Sequence, residues 1–64
     1  MTANNAYRWL ILIYRDLGDE QAKKGAREKA HTLYEVARGL STECLHHYPE
    51  DPTATHFIRE YAGK

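Results

Sequence analysis

The chain has 64 residues, and its nine Lys and Arg balance nine Asp and Glu; one small domain of this size has a marginal core unless a disulfide, a metal or a second subunit adds to it. Cys44 is the single cysteine, which excludes an internal disulfide, and the zero net charge is not the electrostatic footprint of a strong nucleic-acid binder. The most apolar stretch, WLILIY at residues 9–14, is too short for a membrane-crossing helix of about 20 residues or for a secretory signal of about 7–15, so a cytoplasmic location with no membrane contact is expected.

The first predicted element is a helix over about 4–17. Asn4 or Asn5 supplies an N-cap, and Gly18 follows Leu17 where a helix would stop. At 3.6 residues per turn, Ala6, Tyr7, Trp9, Leu10, Ile11, Ile13, Tyr14 and Leu17 fill one arc of roughly 200°. Arg8, Arg15 and Asp16 occupy the other side, with Leu12 as the one apolar residue among them. A surface helix normally carries an apolar stripe of about 100° or slightly more. One neighbouring helix cannot cover a band twice that wide.

The second predicted helix is long, about 19–48, capped by Asp19 and free of proline until Pro49. Ala22, Ala26, Ala30, Leu33, Ala37, Leu40, Cys44 and His47 step by fours and threes along one seam. Gly25 and Gly39 each cost about 1 kcal/mol against alanine, and Gly39 is where the helix would bend most easily. YPEDP ends this helix. Asp51 then caps a third, about 52–62, with Pro52 in the first helical position. Its apolar face is Ala54, Phe57, Ile58 and Tyr61, and Gly63 closes it.

Short turns make successive helices antiparallel. The expected fold is all-α, a single domain over 1–64 with a long central helix flanked by two shorter ones lying almost end to end along it. Trp9, Leu10, Tyr14 and Leu17 are expected to meet the small residues Ala22, Gly25, Ala26 and Ala30. The outer edge of the first helix then has no cover, and pairing that patch with itself in a homodimeric helical bundle is the simplest remedy. Tyr7, Trp9 and Ile13 are the expected interface residues. Tyr34, Arg38, Tyr48 and Arg59 are candidate exposed anchors for a protein partner, because aromatics and arginine dominate binding hot spots.

No residue set points to catalysis, so a non-enzyme without cofactor or metal is expected. Cys44, His47 and His56 have partial metal-ligand spacing, but they match no complete zinc pattern. Glu43, Glu50, Asp51 and Glu60 gather near the second turn, where acids usually cap helices. Lys23, Lys24, Arg27 and Lys29 form one basic cluster, interleaved with Glu20 and Glu28 in the manner of a solvated face. Residues 46–61 read as helix, turn and helix, with Thr53, Thr55, His56 and Arg59 able to face a DNA groove; a small DNA-binding regulator is therefore the alternative to a protein-binding regulator, adaptor or inhibitor.

LILIYRDLGD resembles the first helix and turn of a tetratricopeptide repeat, with Leu10, Tyr14 and Gly18 near the expected offsets, and YPEDP resembles the end of such a repeat. Ile11 stands where that family has a small residue, and the segment from Gly18 to Pro49 is longer than a 34-residue repeat allows. The resemblance implies a helical hairpin and no further property.

Overall fold

The computed structural model describes residues 3–62. Among them are three helices and no strand: α1 (Ala3–Lys23), α2 (Arg27–His47) and α3 (Pro52–Glu60). The expected starts at Asn4 or Asn5 and at Asp19 do not occur. Helix α1 is already helical at Ala3, and anything preceding residue 3 lies outside the described residues, as does Gly63.

The first break falls seven residues later than the sequence suggests. Helix α1 runs straight through Gly18, and α1 and α2 have 21 residues each. The central long helix is thus replaced by a hairpin of two equal arms. Gly25, with φ +81°, makes the turn. Its N–H donates to the Ala22 carbonyl at 3.0 Å, and the Ala26 N–H reaches the Gln21 carbonyl at 2.9 Å. This pair of bonds is the Schellman closure, whose left-handed position suits glycine.

Gly18 and Asp19, which read as a stop and a cap, are used for packing between helices. A Cβ placed on Gly18 would lie 2.6 Å from Cε1 of Tyr34, so the missing side chain is what lets α1 approach α2. The Tyr34 hydroxyl then donates to Asp19 Oδ1 at 2.6 Å. Tyr61, at the end of α3, donates to Asp19 Oδ2 at 3.0 Å. One carboxylate therefore ties all three helices together at the turn end of the hairpin.

At the other end Asp51 performs the same service. It caps α3 by accepting from the Ala54 N–H at 3.0 Å, and it accepts from Arg8 Nε of α1 at 2.6 Å. These two ties fix the direction of α3. It begins level with Arg8 and finishes level with Asp19, so it lies beside α1 and parallel to it. The end-to-end placement of two short helices does not occur, because the longer α1 fills the space that it would need.

The core between the helices is thin. Its buried apolar members are Ile11, Ala30, Tyr34, Ala37, Cys44, Ala54 and Phe57. Ser41 is also buried, and its hydroxyl returns to the Ala37 carbonyl at 2.8 Å, as a mid-helix serine can. Helix α2 continues through Gly39, where a Cβ would meet nothing within 4 Å. Gly39→Ala should therefore raise stability by about 0.5–1 kcal/mol through helix propensity. Thermal and urea melts followed by circular dichroism would measure the gain.

Candidate functional site

Most of the large apolar side chains of α1 lie outside the core. Trp9 is 61% exposed, Leu10 41%, Ile13 46% and Leu17 47%. They form a strip spanning roughly 100° of the helix surface over about two turns. Ala6 lies on the same strip and is also exposed. Val36 of α2 is 40% exposed.

The strip is open because of where α3 docks. Ile11, Leu12 and Arg15 of α1 line a groove of about 360 Å³ with Pro52, Thr53, His56 and Phe57 of α3. Arg8 and Asp19 make the polar ties at its two ends. Helix α3 thus covers the side of α1 that carries Arg8, Leu12, Arg15 and Asp19. Leu12, the isolated apolar residue of that polar side, is the residue that α3 half-buries. The broad apolar arc gains cover from α2 along one margin through Tyr7, Ile11 and Tyr14, and the other margin faces water.

The expected site residues separate accordingly. Trp9 and Ile13 are on the open strip. Tyr7 is not: it is half-buried, and its ring faces His47 at 6.4 Å and Tyr48 at 6.5 Å between centroids. Leu10 and Leu17 take its place. They were expected to pack on the small residues before Ala30, but that stretch is the turn and the end of α1, so nothing in α2 lies opposite them in the assumed register.

Tyr34 is buried, against the expectation of an exposed anchor. Its ring lies 5.0 Å from that of Tyr61. Burial and the Asp19 carboxylate push its hydroxyl well above the usual tyrosine range, so it stays a hydrogen-bond donor. The same two causes raise Tyr61. Arg38 is half-buried and bridges Glu35, at 2.6 Å, to the Tyr61 carbonyl, at 2.8 Å. Tyr48 is half-buried beside Tyr7, and Arg59 is exposed on α3.

The metal-type residues do not converge. Cys44 is fully buried, and burial together with the nearby Asp51 charge pushes its thiol up. His47 and His56 are exposed on different helices. Among the described residues no group of three His, Cys, Asp or Glu side chains is placed to hold a metal ion. On α3, Thr53 lines the groove against α1, and the Thr55 hydroxyl donates to the Asp51 carbonyl at 2.9 Å. Of the four residues that could face a DNA groove, His56 and Arg59 are exposed, and the acidic Glu60 is exposed beside them. No described helix is long and apolar enough to cross a membrane.

The Leu10 and Leu17 positions were within reach of sequence reasoning, because both belong to the broad arc. Their exposure depended on finding the partner of Arg8. Asp51, the acidic N-cap of an otherwise apolar-faced helix, is the signal that pairs α3 with the arginine side of α1. Compared with known proteins, the chain matches no family model, no curated protein and no solved structure.

Proposed function

We propose that this chain is a small non-catalytic helical interaction module of the cytoplasm, which self-associates through α1 and acts as a regulator, adaptor or inhibitor of a larger protein. The supporting observation is the open strip of Trp9, Leu10, Ile13 and Leu17. Monomeric soluble proteins seldom leave a large contiguous apolar patch in water, and the largest one on a chain is often its binding surface. The thin core sharpens the point. Burial of these four side chains would add apolar contact that the alanine-rich interior does not supply. Tyr48 and Arg59 sit away from the strip and are the anchors for the larger protein.

Light scattering coupled to gel filtration tests this reading. The native chain should elute at twice its 7.4 kDa mass. Trp9→Ala should raise the dimer dissociation constant by about 30-fold or more, the effect of a central aromatic hot spot of about 2 kcal/mol. A mass of 7.4 kDa at every concentration, unchanged by Trp9→Ala, would sink the association surface.

A further inference from the structure

We infer that a second copy of the chain covers the open strip with its own α1 antiparallel, about a two-fold axis passing close to Ile13, and with each α3 on the outside of the resulting four-helix core. The inference rests on the self-association proposed above and adds its geometry. The first observation is spacing. Ala6, Leu10, Ile13, Leu17 and Glu20 step by four, three, four and three, the seam of helices crossing at about 20°. Trp9 lies beside the seam, four residues before Ile13, as Leu17 lies four after it. Reversal about Ile13 exchanges Trp9 with Leu17 and Ala6 with Glu20, so Trp9 of one copy meets Leu17 of the other and the two Ile13 side chains meet at the axis.

Charge decides between the two possible directions. From residue 3 to residue 14 the only charged side chain of α1 is Arg8, and Arg8 is turned to Asp51 of α3. The acids of the strip are both exposed and both in the second half: Glu20 ends the seam, and Asp16 lies at its margin, paired with Arg15 of the same helix at 2.8 Å. A parallel copy would set each carboxylate against its own counterpart. A reversed copy sets them beside a half without acids, towards the positive end of the partner's helix.

Size requires the hairpin to contribute as a unit. A stable interface takes about 800 Å² from each partner, a large share of a chain whose whole accessible surface is 4462 Å². The α1 strip alone is too narrow for that. The Gly18–Tyr34 and Tyr7–His47 contacts set the register of the hairpin and place Val36 level with Leu17. Val36 lies on the flank of α2 opposite Arg38, which holds the end of α3. It therefore extends the strip on the side that α3 leaves open.

Cross-linking separates the geometries without touching the seam's large residues. Ala6→Cys and Glu20→Cys both change exposed positions. Each variant alone and their equimolar mixture would be treated with a short bis-maleimide. The wild type serves as control, since its Cys44 is fully buried. Covalent dimers in the mixture, at least tenfold above either variant alone, are the expected result. Self-linking of each variant above the mixture, in a chain of dimeric mass, would overturn the antiparallel arrangement and leave the association surface standing. A monomeric wild type with no cross-link in any arm would overturn both. Circular dichroism of the two variants confirms that each is folded before the comparison.

Discussion

Asp51→Ala is expected to lower the stability of the fold by about 2–3 kcal/mol, the loss of an N-cap together with a charge-assisted hydrogen bond. The Asp51 side chain is fully buried, while Arg8 is 37% exposed. Arg8 can therefore turn to water when its partner is removed, and the larger penalty of stranding a buried charge does not apply. In a domain this small the loss corresponds to a fall in melting temperature of roughly 8–24 °C. Because α3 is held to α1 at this end by Asp51, the loosening should be local. Labelling of the buried Cys44 by a thiol reagent should accelerate more than exchange of α1 amides near the turn. An unchanged melting temperature would mean that α3 docks without this tie.

Acid exposes the same dependence. Burial alone would raise the Asp51 carboxyl. The Ala54 amide, the Arg8 guanidinium and Asn4 outweigh it and hold the carboxyl below the ordinary aspartate value. A depressed folded value means that the contribution is fully present above the unfolded value of about 3.9 and is lost as pH falls from there through the folded value. The native chain should therefore lose stability below about pH 4. Asp51→Asn keeps a capping oxygen but no charge, so it should start about 1 kcal/mol lower and show a shallower loss over the same window. Urea midpoints taken at steps from pH 6 to pH 2 would compare the two slopes.

Gly18→Ala should be destabilising by about 1–3 kcal/mol, the range for forcing a methyl into a packed contact. The new Cβ would sit 2.6 Å from one carbon of the Tyr34 ring and 2.8 Å from another. The ring cannot slide aside cheaply. Its hydroxyl is held by Asp19 at 2.6 Å, and the ring is tilted against that of Tyr61 with centroids 5.0 Å apart. The same substitution at Gly39 meets empty space and carries the opposite sign, so the two variants form a matched pair in which helix propensity is constant and only packing differs. Equal melting temperatures for the pair would show that α1 and α2 approach less closely than 2.6 Å implies.

Helical character was legible wherever local chemistry decided it. Pro52 at the first position and Asp51 as the cap required no knowledge of the rest of the chain. The breadth of the apolar arc on α1 was equally plain, and so was the exposure of Trp9 and Ile13 that follows from it. The first turn was misplaced because Gly18 and Asp19 carry the same residue types as a helix end. Glycine serves a left-handed turn and a close helix contact equally well, and aspartate serves a cap and a tyrosine pair equally well. Only a partner residue 15 or 42 positions from Asp19, Tyr34 or Tyr61, selects between those uses. Tyr34 was misjudged for the same reason, since a tyrosine between Leu33 and Glu35 is placed inside or outside by whether a carboxylate elsewhere in the chain, here Asp19, satisfies its hydroxyl.

By itself, the order of residues determined that the chain is helical, that its third helix begins at Pro52, and that its first helix carries more apolar surface than one neighbour can hide. Only the tertiary structure decided which part of that surface stays open. Helix α3 had a choice of two sides of α1, and the pairing of Arg8 with Asp51 and of Asp19 with Tyr61 drew it to the polar one. Those bonds span 43 and 42 positions of sequence, and short-range periodicity carries no record of contacts at that distance.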